Sequence, residues 1–139
     1  MKIDWRLILA LSMFGLVMAL ATIATIPSQT EPVFWVAIFL FCAVVIGRRA
    51  RGRAFIHGLL VGIVNSFWVT TAHIAFFHQY LANHPREAAM MTSMPMPERP
   101  RVMMLLVGPV VGIASGLVIG LLSLAAGRLV NQSMARAKA

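Results

Sequence analysis

At 139 residues the chain has room for one domain, and it is 60% hydrophobic and only 12% charged, with a mean hydropathy of +0.85. An ordinary soluble domain carries about 25% charged residues, a disordered chain is poor in apolar residues, and a disulfide scaffold needs more than the single Cys42, so all three are excluded. An integral membrane protein remains, and the net charge of +8 with a pI near 11.6 must be read against topology before nucleic acid is considered.

A helix needs about 20 apolar residues to cross the roughly 30 Å hydrocarbon core. Four stretches approach or exceed that length, predicting an all-α membrane protein, a four-transmembrane-helix bundle forming a single membrane domain over 1–139. The first span covers about 7–26 and ends before Pro27, which cannot continue a helix. The second covers about 33–49; its uncharged part, Val33 to Gly47, is short, so Arg48 and Arg49 must snorkel or the bilayer must thin. The third begins at Ala54 and covers about 54–77, with helix-compatible sequence continuing to Asn83. The fourth, about 102–127, is uncharged and bracketed by Arg101 and Arg128.

Cytoplasmic segments carry the excess of Lys and Arg. With four spans, nine of the twelve basic residues share one side: Lys2, Arg6, Arg48, Arg49, Arg51, Arg53, Arg128, Arg136 and Lys138. Asp4 reduces that face to +8, while Arg86, Arg99 and Arg101 on the other face are balanced by Glu31, Glu87 and Glu98. The whole surplus is therefore a topology signal that places both termini in the cytoplasm, as in a bacterial inner (plasma) membrane, with anionic lipid rather than nucleic acid as its partner. Ala19-Leu20-Ala21 resembles a cleavage site, but the uncharged stretch before Pro27 is longer than a signal-peptide core of about 7 to 15 residues, so the first span is expected to be retained.

Lipid offers no hydrophobic drive between helices, so close approach through small residues has to supply the contact. Gly108, Gly112, Gly116 and Gly120 recur every four residues in the fourth span, a glycine zipper, and Ala54, Gly58, Gly62, Ser66 and Thr70 form a matching stripe in the third. Either these stripes pack together within the chain or one of them faces outward and builds an oligomer. Pro109 interrupts the fourth span and predicts a kink near the outer interface.

Asn65 lies mid-span in the third helix, where an unpaired amide would cost several kcal/mol, so it should face protein or water. A helical projection puts Gly58, Gly62, Asn65, Val69, Ala72, His73 and Phe76 on one face, with Thr70 and Thr71 adding hydroxyls nearby. Asn65 reads as interhelical glue or the lining of a polar path, and His73 as an ionisable group worth testing for function. No acid lies in a span to pair with it. With no phosphate loop, paired carboxylates or cysteine cluster, the expectation is a protein that is not an enzyme and has no cofactor.

The outer loop, 78–101, holds four of the seven prolines. Pro85 to Met91 predicts one short interfacial helix, with Pro at its start and Glu87 in its first turn. Six of the ten methionines fall between Met90 and Met104. Thioethers are soft ligands that suit Cu(I), and Met94, Met96 and His84 are the candidate set. No resident metal is expected all the same, because a proline-rich segment must lose conformational entropy to gather its ligands. The leading expectation is an accessory subunit or homo-oligomer that acts by helix association with itself or a membrane partner. The alternatives are a transporter or channel lined by the Asn65/His73 face, and copper handling through the loop.

Overall fold

The computed structural model describes residues 2–50 and 52–136. Arg51 and Lys138 of the charge count lie outside the described residues. The described chain forms only helices: α1 (Trp5–Ala24), α2 (Glu31–Arg49), α3 (Ala54–Ala75), α4 (Phe77–Asn83), α5 (Pro85–Met91) and α6 (Pro100–Arg136). Four of them, α1, α2, α3 and the Pro100–Val130 stretch of α6, are long and apolar enough to cross a membrane.

The helix ends follow from local chemistry. Asp4 caps α1 by accepting the Leu7 N–H at 3.1 Å, so the helix starts two residues before the uncharged run. Thr30 and Pro32 open α2 earlier than the apolar pattern implies, giving 19 residues or about 28 Å of helix. The short-span problem is thereby solved at the start of α2 as well as at its arginine end. Gly52, at φ 85°, takes the left-handed conformation that turns the chain into α3. A break at Phe76 separates α3 from α4 with neither Pro nor Gly nearby, so the expected continuation of the third span turns aside. The segment Pro85–Met91 is helical as its sequence implies, with His84 at the cap position. Pro109 leaves α6 assigned as a single helix throughout.

Packing orders the spans as α1 on α3, α3 on α6 and α6 on α2. The α3–α6 seam carries the two small-residue stripes face to face. Gly58 meets Gly120, Gly62 meets Gly116, Ser66 meets Gly112 and Thr70 meets Gly108, each step up α3 matched by an equal step down α6. This is an antiparallel pair held in constant register over about three helical turns, and it uses both stripes within one chain. A second seam joins Gly47 of α2 to Gly127 and Ser123 of α6.

The four spans close at the end of the bundle that bears the termini. Leu7, Ile8 and Leu11 of α1, Cys42 and Ile46 of α2, Ala54 and Val61 of α3, and Ile119 of α6 form one buried cluster there. Towards the long loop α1 stays on α3 and α4 through Ala19, Ile23, Ala72 and Tyr80. Here Thr70 of α3 still packs on Gly108 of α6, and a cavity opens beside that seam, with α2 on its other side.

Candidate functional site

The cavity has a volume of about 490 Å³, the size of a site for a small organic molecule, which typically spans about 300–1,000 Å³. Its walls are Trp35 and Phe39 of α2, Val69 of α3, and Met103, Met104, Val107 and Val111 of α6, with Met91 and Met94 at the loop end. A polar strip runs up one side: Asn65, Ser66, Thr70 and His73 on α3, then Tyr80 on α4, with Ser115 on α6 and Glu31 at the start of α2. Apolar walls with a few placed polar groups are the usual make-up of a ligand site.

Asn65 is buried, and its Oδ1 accepts the Gly15 N–H of α1 at 3.0 Å. That bond fixes the amide orientation and leaves Nδ2 enclosed with no partner. The lone glycine of α1 exists for this contact, since a Cβ at Gly15 would collide with the Asn65 side chain. His73 contacts α1 in the same way, its Nε2 lying 3.2 Å from Thr22 Oγ1. The Thr22 hydroxyl gives its proton to the Ala19 carbonyl at 2.9 Å, so Thr22 accepts and His73 Nε2 carries the hydrogen. His73 Nδ1 is thereby a lone-pair acceptor, without a protein hydrogen bond among the described residues.

Above His73 the rings stack. His73 lies on Tyr80 at 4.0 Å between centroids, and Tyr80 lies on His84 at 4.4 Å. His84 is fully enclosed, with Nδ1 on the Tyr80 carbonyl at 3.0 Å and Nε2 unpartnered. Burial pushes the Tyr80 phenol well above its ordinary pKa, and the Glu31 and Glu87 carboxylates push it further, so the hydroxyl keeps its proton. Two polar ties hold the short helices over the bundle. Ser28 Oγ donates to Glu87 Oε2 at 2.9 Å, and Asn83 Nδ2 donates to the Ile23 carbonyl in the last turn of α1. Near the termini, His57 Nε2 accepts the Asp4 N–H at 3.0 Å while its Nδ1 lies 2.9 Å from the Arg53 carbonyl. His57 thus ties the start of α1 to α3.

The expected residues are therefore distributed differently from the helical projection. Asn65 and His73 do share a face, but it is turned to α1 and the cavity, whereas Gly58 and Gly62 sit on a neighbouring face against α6. Phe76 lies past the end of α3 and is 48% exposed, and Thr71 points outward, so neither joins the strip. The set Met94, Met96 and His84 is not brought together: Met94 lines the cavity, Met96 does not, and His84 is sealed in the ring stack. Among the described residues no three of His, Cys, Asp and Glu group closely enough to hold an ion. Sequence reasoning misses Gly15, Gly47, Thr22 and Tyr80. Tyr80 and His84 at four-residue spacing are a readable signal for the stack; a lone glycine such as Gly15 gives no periodic signal. Compared with known proteins, the chain matches no family model, no curated protein and no solved structure.

Proposed function

We propose that this chain is an intramembrane binding protein which holds a lipid-soluble small molecule in the cavity between α2, α3 and α6. The observation that carries this reading is the cavity itself, about 490 Å³ of mainly apolar wall with a polar strip from Asn65 to Tyr80. The same arrangement supports binding over conduction by a single chain, because the other half of the bundle is filled by Ile8, Ile46, Val61 and Ile119, all at 0% exposure. Association remains part of the proposal in a modified form. Both small-residue stripes are occupied within the chain, so a homo-oligomer or a membrane partner would dock elsewhere on the lipid-facing surface. The distribution of Lys and Arg supports cytoplasmic termini, a bacterial inner membrane and a cavity in the outer leaflet, with α5 lying at the interface.

The test uses full-length protein in nanodiscs with Trp5 and Trp68 replaced by Phe, so that Trp35 in the cavity wall is the one reporter among the three tryptophans. The probe is 1-bromo-4-hexylbenzene, an apolar heavy-atom quencher. Saturable quenching at one probe per chain, abolished when Val69 and Val107 are both replaced by Phe, is expected. Quenching that rises linearly with probe in the bilayer, equal in both proteins, would refute the reading.

A further inference from the structure

We propose that the occupant of the cavity is a lipid-soluble amine in its protonated form, with its ammonium group held at the Glu31 and Glu87 carboxylates and its apolar body inside the bundle. The inference rests on the binding function proposed above and adds the charge and chemistry of the ligand.

A second hollow of about 500 Å³ adjoins the cavity, and Glu31, Trp35 and Phe39 line both. Ser28 and Glu87 complete its polar wall. One neighbour holds each carboxylate: Trp35 Nε1 donates to Glu31 Oε1 at 3.0 Å, and Ser28 Oγ donates to Glu87 Oε2 at 2.9 Å. Glu31 Oε2 and Glu87 Oε1 have neither a donor nor an ion pair among the described residues, although Arg86, Arg99 and Arg101 belong to the same loop. Arg101 instead lies over the Phe77 ring, 5.2 Å from its centroid. Both free carboxylate oxygens are open to the hollow, because the enclosed unpartnered side-chain atoms of the described residues are Asn65 Nδ2 and His84 Nε2 alone. Glu31 and Glu87 together disfavour the Tyr80 phenolate, which puts both charges close to the polar strip of the cavity.

The other open polar atoms are of the same accepting kind. His73 is only 7% exposed and lines the cavity, and its Nδ1 is a lone pair with no protein donor that is likewise not enclosed, so it opens into that space. The donors in the walls are spent or sealed. Trp35 Nε1 is used on Glu31, the Ser66 and Ser115 hydroxyls on carbonyls of their own helices, and Asn65 Nδ2 is shut inside the bundle. The Thr70 and Tyr80 hydroxyls can act either way, and the methionine sulfurs are weak acceptors. The space therefore offers two carboxylates and an imidazole lone pair, and no charged or fixed donor to meet them. An anionic ligand would find nothing there to pair with. An ammonium group supplies both N–H donors and positive charge, and its hydrogen bonds to carboxylates are of the strong, charge-assisted kind. Trp35 and Phe39, with ring centroids 6.0 Å apart, add aromatic faces that attract a cation.

The experiment follows displacement of 1-bromo-4-hexylbenzene from the Trp35-only protein in phosphatidylcholine nanodiscs by three probes of one shape: 4-hexylbenzylamine, which is protonated at neutral pH, 4-hexylbenzyl alcohol and 4-hexylbenzoate. The amine should relieve quenching at a bilayer concentration at least about tenfold below that of the alcohol, as expected for hydrogen bonds to charged groups, and the benzoate should be weakest. Glu31→Gln combined with Glu87→Gln should bring the amine to the affinity of the alcohol and leave the alcohol unchanged; thermal unfolding of the variant shows whether it is folded. Should it not fold, the three-probe comparison with both glutamates in place decides alone. Adding phosphatidylethanolamine to the discs should leave amine binding unchanged; a loss there would assign the carboxylates to a lipid headgroup and overturn the free amine. Equal displacement by amine and alcohol would overturn the inference while leaving the cavity-binding function standing. Quenching that never saturates would overturn both.

Discussion

Gly58→Ala and Gly127→Ala insert the same methyl group into α3 and α6 with opposite expected consequences. A Cβ built on Gly58 lies 2.6 Å from both Cα and N of Gly120 and 2.8 Å from the Ile119 carbonyl carbon. Side-chain carbons essentially never approach within 3.0 Å, and all three neighbours are backbone, so no flexible end gives way. The two helices must separate by about 0.5–1 Å, a gap that forfeits a quarter to a half of each dispersion contact along the seam. Overpacking of this kind costs about 1–3 kcal/mol. At Gly127 the nearest atom to an added Cβ is the Gly47 carbonyl oxygen at 3.4 Å, an ordinary contact. Alanine there keeps the seam and gains helix propensity, up to about 1 kcal/mol. Reversible unfolding in mixed micelles, followed by tryptophan fluorescence, should show Gly58→Ala less stable than the parent and Gly127→Ala equal or more stable. A Gly58→Ala protein as stable as the parent, or a larger loss at Gly127, would refute the backbone-on-backbone seam.

Three further outcomes follow from the same structure. Gly15→Ala should destabilise the protein mainly by displacing the Asn65 amide, so in an Asn65→Ala background its cost should fall by at least half; additive losses would separate the two residues. Tyr80 is the single tyrosine, so its phenolate absorbance can be followed directly, and none should develop near pH 10 until the protein unfolds. The sign is that of a raised acid: the neutral phenol favours the folded state, a contribution complete below the ordinary value of 10.0 and lost as pH climbs towards the folded value. A normal titration near 10 in folded protein would contradict its burial. A cysteine at the exposed Ser93, with Cys42 replaced by Ala, should react with an impermeant maleimide only from the non-cytoplasmic side, and labelling from the cytoplasm would invert the topology.

How much of this is legible in the sequence depends on how local the cause is. The register of α3 on α6 is readable because glycines every four residues are a periodic signal with one steric meaning. The short helix α5 is readable because Pro85 and Glu87 are start signals in themselves. Asp4, a good capping residue, sets the start of α1, but the apolar run begins only at Leu7 and conceals it. The break at Phe76 has no local mark. It turns Phe77 and Tyr80 inward, and Tyr80 then lies between His73 and His84, a gain visible only in three dimensions. The cavity is the least local feature of all. Its lining comes from α2, α3, α4, α6 and the loop before α6, and no single segment encodes that convergence.

Native mass spectrometry of the protein extracted gently from its own membrane tests the binding function most directly. The account predicts one small organic molecule retained per chain, released on unfolding, and absent when Val69 and Val107 are both replaced by Phe in protein that remains folded. A bare polypeptide mass for the parent, or the same adducts on parent and filled variant, would contradict it.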